Sequence, residues 1–205
     1  MSGKMLYQLP GIHPTDAAWQ SRGGNVLAIA TSDHVRIWDR SGRVVHEQTI
    51  KRAELAWDND GQILAMMAQK SYGLSVLYFN GKRQRNVEFE IRDILTSMAW
   101  SKTAPILAIG TQKGSLILVD FKTDQKLPVL GKHSKKISVC TWSSDNLLAL
   151  GSIDGTISIN NASGDAQFTQ RLRSEPEDLQ ERGGYFYSEN CTEFRLIGNL
   201  NEESA

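Results

Sequence analysis

The stretch Ala99-Trp100-Ser101-Lys102-Thr103-Ala104-Pro105-Ile106-Leu107-Ala108-Ile109-Gly110 decides the fold. A short apolar segment ends in tryptophan, a few polar or turn residues follow, and a second apolar segment carries Leu-Ala. The same order occurs at Ala18-Trp19 with Leu27-Ala28, Ala56-Trp57 with Leu64-Ala65, and Thr141-Trp142 with Leu148-Ala149. The tryptophans Trp19, Trp57, Trp100 and Trp142 are therefore 38, 43 and 42 residues apart. A period near 40–45 residues, built from short strands, is what a WD-type propeller produces.

Turn chemistry agrees with this reading. Asp60-Gly61 lies between Trp57 and the strand expected from Ile63 to Ala68, where a tight hairpin needs a positive φ, and Gly23-Gly24 holds the equivalent place in the first unit. Lys113-Gly114 and Asp154-Gly155 separate second from third strands in the later units. Third strands are expected at Val35 to Asp39, Leu74 to Phe79, Leu116 to Phe121 and Thr156 to Asn160. More exposed fourth strands are expected at Arg43 to Thr49, Arg85 to Glu90, Gln125 to Leu130 and Ala166 to Arg171. No long window has apolar residues at the 3.6-residue period, so helices should be scarce and the class all-β. The expectation is a partial WD-type β-propeller of about four blades over residues 1–180, with the Trp and Leu-Ala positions in the core. Residues 181–205 read as a divergent tail, disordered or belonging to a truncated or alternative product.

Bulk composition excludes several function classes. Of 205 residues 40% are hydrophobic and 22% charged, ordinary for a folded chain, and Lys plus Arg equals Asp plus Glu at 23 each. A balanced charge gives no global field for nucleic acid, and no Lys/Arg stripe interleaves with aromatics. No stretch approaches the roughly 18 apolar residues of a membrane span, and Met1 to Gly11 lacks the pattern of a secretory signal. Cys140 and Cys191 have no metal or redox spacing, and Cys140 reads as a small buried apolar residue. His13, His34, His46 and His133 are scattered, Asp58 and Asp60 flank a turn, and no phosphate-cradling glycine loop is present. We expect no metal, no cofactor and a cytosolic, reduced protein.

Family marks are uneven. Trp38-Asp39 is a full WD dipeptide; Phe79, Val119-Asp120 and Ile159-Asn160 stand at about that place in later units. Gly131-Lys132-His133 before the fourth unit is a loosened glycine-histidine dipeptide. The chain resembles the WD-repeat family, and that resemblance implies a hydrogen bond from His133 to Asp154, the matching turn aspartate. A His–Asp pair can look catalytic, but no serine or cysteine nucleophile has a recognisable elbow nearby, so the pair reads as structural and the chain as no enzyme. The basic loop Lys132, Lys135 and Lys136 reads mainly as solvated, with binding of an acidic partner, or weak contact with an anionic membrane at about 1 kcal/mol per cation, as the sharper reading.

More particular is Leu127-Pro-Val-Leu-Gly-Lys-His-Ser-Lys-Lys-Ile-Ser138 with Asn146-Leu-Leu-Ala-Leu-Gly151, supported by Trp100-Ser101-Lys102, Ala108 to Gly114 and Arg173-Ser-Glu-Pro176. These segments resemble, over about residues 15 to 180, the N-terminal propeller of the intraflagellar transport protein 144 family, the WD repeat-containing 19 proteins. The resemblance implies a noncatalytic scaffold of intraflagellar transport complex A. Its expected roles are retrograde ciliary transport, cilium assembly and ciliary entry of membrane proteins. Expected partners are protein subunits of the complex and cargo adaptors, with location in the cytoplasm, the cilium and the ciliary base. An enzymatic propeller and a coat-like scaffold outside cilia are the alternatives. From about Glu181 onward the likeness stops.

Overall fold

In the computed structural model the described residues are 11–80, 83–129, 131–172, 174–176, 178–182 and 185–187. Among them there is no helix, and the strands form four 4-stranded antiparallel sheets and one hairpin. In chain order the sheets are β1 (Asp16–Trp19), β2 (Val26–Ala30), β3 (Val35–Asp39), β4 (Val44–Gln48); β5 (Ala53–Trp57), β6 (Ile63–Ala68), β7 (Gly73–Asn80), β8 (Arg83–Glu90); β9 (Leu95–Trp100), β10 (Ile106–Thr111), β11 (Leu116–Asp120), β12 (Gln125–Val129); and β13 (Ile137–Trp142), β14 (Leu148–Ser152), β15 (Thr156–Asn160), β16 (Ala166–Arg171). β17 (Gln180–Arg182) and β18 (Tyr185–Tyr187) make the hairpin.

Register repeats with the sequence. Each tryptophan pairs with the Leu of Leu-Ala: Trp19 with Leu27, Trp57 with Leu64, Trp100 with Leu107 and Trp142 with Leu148. The Leu-Ala strand is the second of four, interior to its sheet, and β6 and β14 are buried on both faces, which explains their unbroken apolar sequence. The same register shows what stands at the WD tryptophan. Leu27 pairs with Trp38, Leu64 with Leu77, Leu107 with Val119 and Leu148 with Asn160. The positions matching Trp38 are thus Leu77 and Asn160, not Phe79 and Ile159. Loops of unequal length ahead of the third strand shift the alignment by a residue or two.

Two compact units divide the chain, one carrying β1–β8 without the 70–73 loop and Glu90, the other carrying that loop, Glu90 and β9–β18. Within the first, β1 lies beside β5, and Ala28, Ile37, Leu55, Trp57, Leu64 and Met66 share one core. Within the second, β9 lies beside β13, and Ala108, Leu116, Leu118, Trp142, Leu148 and Leu150 share another. Both pairs of sheets are joined by the same bond. The Trp57 indole Nε1 donates to the Ala18 carbonyl at 3.1 Å, and Trp142 Nε1 donates to the Ala99 carbonyl at 3.0 Å. Trp19 departs from the expected core placement, with 57% of its surface exposed. Trp57 and Trp142 are buried against the preceding sheet of their own unit, and β1 belongs to the first sheet of its unit, with none before it.

β17 and β18 extend ordered structure past residue 180, where the sequence reading placed a divergent tail. Leu179 and Phe186 are buried against Ala149, Ile157 and Ile159 of the fourth sheet. The rest of 181–205 lies outside the described residues. Cys140 is half-buried at the margin of the second unit's core, a weaker burial than its strand pattern suggested; Cys191 lies outside the described residues.

Turns reuse one device. The residue after the tryptophan closes the first hairpin with a side-chain acceptor: Asp58 for the amides of Gln62 and Ile63, Ser101 for those of Thr103 and Ala104, Ser143 for those of Asp145 and Leu147. The last residue of the third strand, or the one after it, does the same for the next turn: Asp39 for Ser41 and Arg43, Asp120 for Lys122, Asn161 for Ser163 and Asp165. In two of those later turns Gly42 and Gly164 take a positive φ; in the third it is Asp124, with φ 56° and its side chain exposed. Asp124→Gly should therefore raise stability by about 0.5 kcal/mol, read as a shifted urea midpoint with unchanged slope.

Candidate functional site

The loop before β13 carries the residues that the sequence singled out. His133 is 7% exposed, and neither ring nitrogen bonds Asp154 directly: Nδ1 lies 3.9 Å from Asp154 Oδ1. The direct bond implied by family resemblance is replaced by a relay, because Thr156 stands between the two. Thr156 Oγ1 donates its one proton to Asp154 Oδ1, so toward His133 it can only accept, and Nδ1–H must donate to it at 2.8 Å. In the neutral ring Nε2 is then bare and accepts from Ser158 Oγ at 2.9 Å. Asn160 Nδ2 completes the chain, donating to Ser158 Oγ at 3.1 Å and to the Leu148 carbonyl at 3.1 Å. Asp154 Oδ2 takes the amide and hydroxyl of Ser134.

A serine hydroxyl on a histidine oriented through to an aspartate has the connectivity of a nucleophile and its base. Its burial decides against that use. Ser158 is 2% exposed, so the hydroxyl meets no solvent-borne substrate and the network ties the 131–136 loop to the fourth sheet. Asn160 is the member that sequence reasoning missed. The signal was there: counting back through Leu148 and Trp142 puts Asn160, fully buried, at the WD tryptophan position, where it supplies the N–H donor. Trp38, at that position in the first sheet, has its indole N–H buried with no partner among the described residues, and Arg36 stands where Ser158 would be.

Burial pushes the His133 imidazole below its ordinary value of 6.5, with Asp154 partly offsetting this and Lys132 adding to it. The folded ring thus takes a proton less readily than the unfolded ring, and stability present above about 6.5 is lost as pH falls through that value. Burial likewise raises the Asp154 carboxyl, but hydrogen bonds from Thr156 and Ser134 outweigh it and hold the group below its ordinary 3.8. That contribution is present above 3.8 and is lost only in stronger acid. Urea midpoints of the chain should therefore fall between pH 7.5 and 5.5, and His133→Gln should flatten the fall. An equal fall in the variant would place the titration elsewhere. Nitrogen-detected NMR should find the Nδ1–H tautomer at His133.

The basic loop divides. Lys132 is turned inward, its Nζ donating to the Gly164 carbonyl, and burial lowers its ammonium from the ordinary 10.5. It is not the outward-facing cation that a run of basic residues suggested. Lys135 is exposed and Lys136 partly so. Among the described residues no group of three or more His, Cys, Asp or Glu is placed to hold a metal, and no helix is long and apolar enough to cross a membrane.

Comparison with known proteins gives this geometry its family. The model of the family described as WDR19 first beta-propeller matches residues 15–183. WD repeat-containing protein 19 of Mus musculus is 39% identical over 195 residues, 94% of this chain and 14% of that protein. The Homo sapiens protein of that name is 38% identical over 170 residues, 82% of this chain and 13% of that protein. WD repeat-containing protein dyf-2 of Caenorhabditis elegans is 25% identical over 174 residues, with 82% and 13% covered. The chain spans about one-seventh of the length of the curated relatives it matches. A likeness covering 94% of 205 residues reaches beyond residue 181 wherever it begins, so the similarity does not stop where the sequence reading ended it. With four four-stranded sheets in one repeated register, and a family model matching them end to end, the chain belongs to the WDR19 first beta-propeller family.

Proposed function

We propose that this chain supplies blades of a noncatalytic WD-repeat scaffold in an assembly of the intraflagellar transport complex A type. Its work there is to bind sister subunits and cargo adaptors in retrograde ciliary transport, cilium assembly and ciliary entry of membrane proteins, from the cytoplasm, ciliary base and cilium. The observation that carries this reading is how the side chains are spent. Sheet faces are given to neighbouring sheets through Trp57 and Trp142, and the nucleophile-like constellation among the described residues, Ser158 with His133, is sealed inside the fourth sheet. Loops and outer strands such as β12 and β16 remain exposed, and these are surfaces for protein partners. The likeness to WD repeat-containing protein 19 supports the ciliary assignment. Affinity purification of the tagged chain from ciliated cells is the test. We expect the other complex A subunits in the eluate and tagged protein at the ciliary base. Co-purification with vesicle-coat subunits alone would defeat the assignment.

A further inference from the structure

The second unit has two unlike ends. At one end lie the 70–72, 91–94, 112–115, 131–136 and 153–155 loops, and backbone bonds link them in series. Ile91 N donates to the Tyr72 carbonyl at 2.7 Å, Gln112 N to Ile94 at 2.9 Å, His133 N to Gly114 at 2.9 Å and Ile153 N to Lys136 at 3.1 Å. These loops hold six Lys or Arg against two carboxylates, with Glu90 ending β8 beside them. The opposite end, formed by the 101–105, 121–124 and 143–147 loops, holds two Lys against two Asp.

The carboxylates at the basic end are already occupied. Asp93 accepts the amides of Ile94 and Lys113, and Asp154 is held by Ser134 and Thr156. Lys70, Arg92, Lys113 and Lys135 are exposed, Lys136 is partly so, and none of the five makes an ion pair or side-chain hydrogen bond among the described residues. The seating of one loop on the next brings together cations that are as much as 66 positions apart in the chain, Lys70 to Lys136. Lys113 and Lys135 are joined most closely, because the backbone around Lys135 lies directly on Gly114.

We propose that this loop face is a docking surface for an acidic peptide segment of a partner protein. The proposal deepens the scaffold reading by giving one partner its chemistry. Unpaired cations on rigidly linked loops attract carboxylates without any acid of the face first having to be displaced. Tyr72, 57% exposed at the same end, offers an aromatic surface to the peptide's side chains. A bilayer fits less well. The other exposed large apolar residues among those described, Trp19, Val44, Val45, Leu127 and Phe168, lie on strands and not on these loops, so the described residues of this end offer no aliphatic or indole wedge to insert.

The test uses the purified full chain and a fluorescein-labelled oligoglutamate peptide, with binding followed by anisotropy. We expect saturable binding that weakens as salt rises, and a Kd raised about tenfold or more in Lys70→Glu/Arg92→Glu/Lys113→Glu. Lys102→Glu/Lys122→Glu at the opposite end should stay within about twofold, and melting curves should show that all variants are folded. No binding by the wild-type chain, or equal binding by the folded triple variant, overturns the proposal. So does capture by vesicles of phosphatidylcholine and phosphatidylserine in equal parts without capture of the peptide. The readout involves no ciliary component, so loss of the ciliary assignment would leave it standing, and its own failure would leave that assignment untouched.

Discussion

Trp142→Ala should lower the unfolding free energy by about 3–5 kcal/mol, and Trp19→Ala by less than about 0.5 kcal/mol. The two residues have the same local place. Each ends the first strand of its sheet, and each pairs with the Leu of the Leu-Ala strand, at Leu148 and Leu27. They differ in what lies across from them. Trp142 is 1% exposed, sits in the second unit's core, and gives its indole N–H to the Ala99 carbonyl at 3.0 Å; Trp19 is 57% exposed. Removing Trp142 therefore costs the transfer of a large apolar group, a cavity between two sheets, and an accepting carbonyl left unpaired. Trp57→Ala, 7% exposed and bonded to Ala18, belongs with Trp142, as does Trp100→Ala, 9% exposed with its ring 5.0 Å from that of Phe121. Trp142→Phe separates the contributions: it keeps most of the volume, loses the N–H, and should cost about 1–2 kcal/mol. Urea midpoints decide the matter. Equal losses at positions 19 and 142 would show that the facing sheet is not what gives the tryptophan its weight.

That contrast also marks the limit of reading from residues alone. Strand order and turn positions were readable because a tryptophan and a Leu-Ala recur at nearly fixed spacing, and local spacing sets local register. The fate of Trp19 was not, since its burial depends on a sheet elsewhere in the chain and no property of Asp16–Trp19 encodes it. Asn160 was obscured for a related reason. Five residues separate Trp142 from Leu148 and six separate Trp57 from Leu64, so counting from the tryptophan slips by one, while counting through the paired leucines does not. The loop residues divide in the same way. Lys132, Lys135 and Lys136 look alike in sequence, but only the Gly164 carbonyl, 32 positions away, turns Lys132 inward. The partners of Lys135 at the same end, Lys70 and Arg92, come from loops that no sequence interval brings together.

Gly114→Ala should destabilise the second unit by about 2–5 kcal/mol, against about 1 kcal/mol for Gly131→Ala. Both glycines take a left-handed backbone, with φ +82° at Gly114 and +65° at Gly131, so both substitutions carry the strain of an L side chain there. Only one meets an obstacle. A Cβ at Gly131 has nothing within 4 Å, whereas at Gly114 it would fall 2.2 Å from the His133 carbonyl oxygen and 2.6 Å from that of Lys135. Those atoms are backbone, pinned by the 2.9 Å bond from His133 N to the Gly114 carbonyl, and they cannot swing aside as a side-chain tip would. The 131–136 loop must lift, drawing the His133 ring away from Thr156 and Ser158 and Ser134 away from the Asp154 carboxylate. Gly114→Ala should therefore flatten the acid-side loss of stability attributed to His133 and shift its imidazole nitrogen resonances toward the solvent-averaged values. Gly131→Ala should leave both unchanged. If the two variants unfold at the same urea concentration, the seating of one loop on the next is not what holds His133 in place.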